Sequence, residues 1–230
     1  MEIKVITDFC REHLDFETRP LDYVNFYFSL PLAVIDAVFS IGAHYNSTKL
    51  AVLRFSEYFD LMIMRGAQLP LQEEQLSVGE FLEIYKEYGA ERMAAEIYGN
   101  RQRTSSHSGV LKAEAARRFA QVLADCGVNY FQDVPLILGS CAFEQAIKEI
   151  PGQHSGVSLR YFYMLVGDAD FIKPDRMIKR FLFAATGERL SDEECQELLA
   201  GACAELKREN PELTPRALDS LIWAYQRKKK

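Results

Sequence analysis

The chain has 230 residues, enough for one large domain or two small lobes with a buried core. Apolar residues make up 48% and charged residues 26%, which excludes a disordered chain. With 27 Lys and Arg against 33 Asp and Glu the net charge is −6, so a globally basic surface is excluded and any nucleic-acid contact has to come from a local patch or from backbone donors.

The opening run MEIKVITDFCREHLDF is charged throughout and does not read as a signal peptide. Tyr23–Leu30 alternates aromatic and polar residues like a strand, but no hairpin partner flanks it. The longest apolar run, Leu30 to Ala43, is broken by Pro31 and Asp36 and falls short of the ~20 residues a membrane helix needs. Val34, Val38 and Ile41, then Leu50, Leu53 and Tyr58, recur at helical steps. Ser77 and Glu80 form a capping-box pattern. The polar stretch Gly99–Gly109, carrying Arg101 and Arg103, reads as a linker, and with Lys112 it offers a clamp for a phosphate stretch or simply a solvated loop. Ala115, Phe119, Val122, Leu123 and Cys126 make one apolar stripe ending at Gly127. Further on, Gly167 and Gly187 suit helix stops, Ser191 with Glu194 repeats the capping box, and Thr214-Pro215 sets a cap before a first-turn proline. The pattern predicts an all-α protein of about ten helices. Five scattered cysteines and four separated histidines show no metal-ligand spacing, so no metal and no cofactor is expected, and the thiols suit a reducing, cytoplasmic setting.

The segment Phe143–Phe183 carries the chemistry. A helix from Phe143 to Glu149 ends at Ile150-Pro151-Gly152, whose proline and glycine enforce a turn. A second helix starts near Ser155–Val157 and runs through Leu159, Phe162, Tyr163 and Val166. Free N–H groups at its start, reinforced by the helix dipole, predict an anion site that needs no lysine. Downstream, Asp175 follows Pro174 at the mouth of another helix, whose face Met177, Ile178, Phe181 and Leu182 turns inward. Lys173, Arg176, Lys179 and Arg180 form the dense basic cluster of the interior sequence. Asp175 reads equally as an N-cap.

The order Ile150-Pro151-Gly152, helix, then Pro174-Asp175 resembles the helix-hairpin-helix–Gly/Pro/Asp (HhH-GPD) superfamily of base-excision DNA glycosylases. The likeness extends over Pro31–Leu182, with PLAVIDAVFSIGAHYNSTKLAVLRF similar to the family's early helix, loop and helix. It implies a two-lobed helical fold, one lobe over residues 31–140 and the second over 1–30 and 141–230, the latter holding the helix-hairpin-helix. It also implies double-stranded DNA as partner, with Ile150, Pro151, Gly152, Gln153, His154, Ser155 and Gly156 supplying phosphate contacts, helped by Lys173, Arg176, Arg101 and Arg103. Asp175 takes the catalytic place, facing the sugar of a flipped base.

The departures narrow the chemistry. Gly156 stands where the bifunctional members carry their Schiff-base lysine, Gln153 or His154 replaces the hairpin's second glycine, and the four-cysteine cluster motif is absent. A monofunctional hydrolase is therefore expected rather than a lyase. Two alternatives stay open: a catalytically degenerate DNA-binding member, and a small-molecule enzyme reusing the cleft between the lobes. Tyr23, Phe26, Tyr45, Tyr161 and Trp223 are candidate stacking faces for a flipped base, and Cys141 lacks any local histidine signature of a thiol nucleophile.

Overall fold

The helical periodicity has its counterpart in a computed structural model that describes residues 2–17, 26–66, 68–106, 109–167 and 170–228. In chain order the elements are α1 (Glu2–His13), β1 (Phe26–Tyr27), α2 (Leu30–Phe39), α3 (Tyr45–Tyr58), β2 (Met64–Arg65), α4 (Val78–Arg92), α5 (Lys112–Asp125), α6 (Cys141–Lys148), α7 (Val157–Leu165), α8 (Arg176–Thr186), α9 (Asp192–Leu206) and α10 (Pro215–Lys228). Among the described residues the fold is all-α apart from the short antiparallel pair, Phe26 opposite Arg65 and Tyr27 opposite Met64, and an isolated bridge between Arg103 and Leu111. The strand signal at Tyr23–Leu30 thus finds a partner, but a remote one; Tyr23 itself lies outside the described residues. No described helix is long and apolar enough to cross a membrane.

Local chemistry sets the helix ends. Ser77 accepts from the Glu80 amide while Glu80 returns a bond to the Ser77 amide, and Ser191 with Glu194 does the same at α9. Thr214 Oγ1 accepts from the Ala217 amide in front of Pro215. Gly127 and Gly187 stand just beyond α5 and α8, where the chain has to leave the helical path.

Packing divides the chain into two compact units, residues 25–166 and residues 1–24 with 167–230. This differs from the division expected from the sequence, because α6 and α7 join the larger unit. Their aromatic residues explain it: Phe162 lies 5.0 Å and Phe143 6.3 Å, centroid to centroid, from Phe119 of α5. At the centre of this unit α2 is buried along its whole length, as a helix apolar on every side has to be. Its one charged residue, Asp36, accepts the hydroxyls of Tyr27 at 2.8 Å and Tyr161 at 3.1 Å. Burial and the neighbouring carboxylate push the Tyr27 hydroxyl well above its ordinary titration range.

In the second unit α1 and α9 pack together with α8 and α10. Their core contains Ile6, Cys10, Ile178, Phe181, Cys195, Leu199, Leu206 and Ile222. The buried face of α8 is the one the sequence marks, except that Met177 stays half-exposed. Burial drives the Cys10 thiol up to about 12 and the Cys203 thiol up to about 11, so neither is a nucleophile at neutral pH.

Candidate functional site

The turn between α6 and α7 is two successive tight bends. The Gln153 amide donates to the Ile150 carbonyl at 2.9 Å, and the Gly156 amide donates to the Gln153 carbonyl at 2.9 Å. The Ile150 amide is likewise held by the Ile147 carbonyl. Three of the predicted backbone donors are therefore spent inside the protein, and Pro151 has none to give. Among the described residues the amides of Gly152, His154 and Ser155 have no acceptor within the chain. The first turn of α7 adds the unsatisfied N–H groups that every helix start leaves.

Side chains sort differently from the sequence expectation. Ile150 and Gln153 are buried, Gln153 at 1% exposure, whereas His154 and Ser155 face solvent. Gln153 Oε1 accepts from Ser158 Oγ, and its amide nitrogen is buried without an acceptor among the described residues. Gln153 is thus an internal brace of the bend, and its side chain is not a surface contact. Gly152, with φ of 87°, lies directly against Thr104: a β-carbon built there would stand 2.4 Å from Thr104 Cβ. This close approach ties the bend to the Gly99–Gly109 segment, which folds back on itself through the Thr104 amide and the Val110 carbonyl at 2.9 Å.

That segment holds its cations to internal tasks. Arg103 Nε donates to the Gly109 carbonyl at 2.9 Å, and Arg101 pairs with Glu91 at 3.3 Å on the exposed surface. Lys112 is buried, contrary to its reading as a phosphate clamp. Its ammonium donates to the carbonyls of Phe39 at 2.8 Å and Ile41 at 2.7 Å and to Gln102 Oε1 at 3.0 Å, closing the C-terminal end of α2. The histidine nearest to it in sequence, His107, lies outside the described residues.

Two arginines that the sequence reading passed over stand beside the bend. A recess of about 260 Å³ is lined by Arg117, Arg118 and Val122 of α5 and by Ala146, Glu149 and Ile150 of the α6–turn segment. Glu114 receives Arg117 at 2.9 Å and Arg118 at 2.8 Å. Those bonds, Arg117 first, hold the Glu114 carboxyl below its ordinary value. With Glu149 also at the recess, two carboxylates face two guanidiniums, so the recess carries both signs of charge and no net positive one. The i, i+3 and i, i+4 spacing from Glu114 was the available signal.

Asp175 belongs to the smaller unit. It caps α8, its Oδ1 accepting from the Met177 amide at 2.7 Å and the Ile178 amide at 3.3 Å. Around it the predicted basic cluster disperses. Lys179 pairs with Asp192 at 2.6 Å, Arg180 donates to the Gln226 side chain at 2.6 Å, and Arg176 is exposed. The Lys173 amide donates at 2.8 Å to Asp219, a buried carboxyl on α10. Burial pushes Asp219 up to about 7; the charge of Asp175 adds to the rise, and the Lys173 amide opposes it. Sequence reasoning passed over Asp219, although an acid set between Leu218, Leu221 and Ile222 marks a carboxyl on an apolar face.

The candidate stacking residues have mixed settings. Phe26 lies under the Arg65 guanidinium at 4.7 Å, Trp223 under that of Arg227 at 4.6 Å, and Tyr161 is bonded to Asp36, while Tyr45 is exposed. Among the described residues no cluster of His, Cys, Asp and Glu is arranged to hold a metal ion. Ser140, next to Cys141, caps α6 by accepting from the Phe143 amide.

No curated protein and no solved structure matches the chain. A family model described as "Domain of unknown function (DUF8548)" matches residues 4–227, and the chain belongs to that family.

Proposed function

We propose that this chain is a DNA-binding protein of the HhH-GPD type, a two-lobed helix-hairpin-helix glycosylase fold working as a monofunctional base-excision enzyme. The observation that carries the reading is the α6–turn–α7 bend. Among the described residues it leaves the Gly152, His154 and Ser155 amides without an acceptor in the turn that leads into α7. Such donors bind a phosphate with no need for a lysine, which suits a chain of net charge −6. Arg117 and Arg118, beside the bend, are cations that a phosphate could draw away from Glu114. The partner is double-stranded DNA.

In this reading Asp175 acts on the sugar of the flipped nucleotide. Its Oδ1 is fixed by two amides of α8, which orients the carboxylate, and the reading assigns Oδ2 to the substrate. As the N-glycosidic bond breaks, positive charge builds on the sugar; a fixed carboxylate stabilises that charge and orients the attacking water. Gly156 offers no amine for a Schiff base, so the product is an abasic site without strand cleavage. All five cysteines are free, which suits a reducing compartment such as the cytoplasm.

A second reading, a catalytically degenerate DNA binder, is favoured by the capping of α8, which gives Asp175 a structural task of its own. The test compares wild type with Asp175→Asn on duplexes carrying alkylated, deaminated or oxidised bases. Asparagine caps helices as well as aspartate does, so the variant keeps the fold. Base release by wild type that Asp175→Asn abolishes, with binding retained, supports the enzyme. Binding without release by either protein supports the degenerate reading. No binding above background at low salt refutes both.

A further inference from the structure

We propose that Asp219 is a positioning residue for Asp175, holding the Lys173-Pro174-Asp175 turn from behind through the Lys173 amide. The inference rests on the reading of Asp175 as the residue that acts on the sugar.

The geometry is specific. Asp219 comes from α10 and reaches the turn that precedes α8, a tertiary link across 46 residues, with its Oδ2 2.8 Å from the Lys173 nitrogen. The Asp175 amide in turn donates to the Lys173 carbonyl at 2.6 Å, so the backbone of one residue, Lys173, links the two acids. Pro174 between them fixes its own φ and removes a donor, leaving the turn few alternatives once Lys173 is held. A buried carboxyl is costly unless it makes bonds that the fold needs, and this one bonds the backbone next to the candidate catalytic acid.

The same contact couples the two acids. The charged groups acting on Asp219 are Asp175 and Lys173 from the turn and Arg216 from its own helix. The charge of Asp175 adds to burial in helping Asp219 keep its proton to about pH 7. Above that pH a second negative charge forms behind Asp175 and the bond to the Lys173 amide becomes charge-assisted. Both changes favour a cationic sugar, so base release should rise severalfold through that range.

The experiment has two arms. In the first, carbon-detected NMR follows the Asp219 carboxyl titration in wild type and Asp175→Asn, with no DNA present. The expected result is a midpoint that falls in the variant; an unchanged midpoint overturns the coupling. In the second, single-turnover base release is measured for Asp219→Ala and Asp219→Asn between pH 5.5 and 8.5. Asp219→Ala should lose roughly tenfold to a hundredfold at every pH, the scale of a misplaced catalytic group. Asp219→Asn, which keeps an acceptor for Lys173, should match wild type at the acid end and lack the rise at higher pH. Equal rates for Asp219→Ala and wild type overturn the positioning role. A wild type that releases no base refutes the glycosylase reading instead, a failure that leaves the first arm's result standing by itself.

Discussion

Replacing Gly152 by alanine tests the join between the bend and the segment that supports it. Two costs add. An L-residue in the left-handed region costs about 1–2 kcal/mol, and φ at this position is 87°. The new methyl would also stand 2.4 Å from Thr104 Cβ and 2.6 Å from its Oγ1, with the Thr104 carbonyl carbon at 3.2 Å. Carbon atoms settle near 3.5–4.0 Å, so backbone has to move, which costs about 1–3 kcal/mol more. The expected loss is therefore about 2–5 kcal/mol. Gly156→Ala is the internal control. Its φ is 71°, but the nearest atom is Lys148 Cε at 3.2 Å, the end of a chain that can swing aside. Only the backbone cost of about 1–2 kcal/mol applies there. Urea unfolding of both variants measures the difference. Thr104→Gly, alone and with Gly152→Ala, completes a double-mutant cycle that isolates the contact. Equal losses for the two glycine variants, with no coupling to position 104, would show that the bend is not seated on that segment.

Two further outcomes follow from buried charges. The Asp219 carboxyl is raised from an ordinary 3.8 to about 7, so between those values the native state holds a proton that the unfolded chain has released. Stability therefore falls as pH rises through that window, by about 4 kcal/mol in all. Unfolding curves at several pH values should show Asp219→Asn gaining on wild type from pH 4 to pH 8; a constant gap contradicts the burial of this acid. Lys112→Met keeps much of the volume and deletes the bonds to Phe39 and Ile41, leaving helix-end carbonyls unpaired at a cost of about 2–4 kcal/mol. A loss under 0.5 kcal/mol in thermal or urea unfolding, the range of ordinary surface substitutions, would place that ammonium in solvent.

Where the determinant is local, the sequence is readable. Ser77 with Glu80, Ser191 with Glu194, Thr214 before Pro215, and Asp175 before α8 all cap helices as their spacing predicts, because each bond closes within three residues. The α6–turn–α7 bend follows from Pro151 and Gly152 for the same reason. What sequence spacing does not carry is tertiary choice. Phe26 pairs with Arg65 across a gap that includes α2 and α3, and nothing near Tyr23–Leu30 announces that partner. Lys112 reads as a surface cation until the end of α2 is brought to it. The allocation of α6 and α7 to the larger unit depends on where Phe143 and Phe162 find Phe119. Asp36 was visible only as an interruption of an apolar run; that two tyrosine hydroxyls meet it is a fact of packing.

The central claim is that the bend grips a phosphate through backbone amides. It is tested most directly by adding a short duplex to ¹⁵N-labelled protein at low salt and following the amide resonances of Gly152, His154 and Ser155. The account predicts that these three move together, with the first turn of α7, and return as salt is raised. Shifts confined to other surfaces, or none at all at duplex concentrations that saturate non-specific binding, would contradict it.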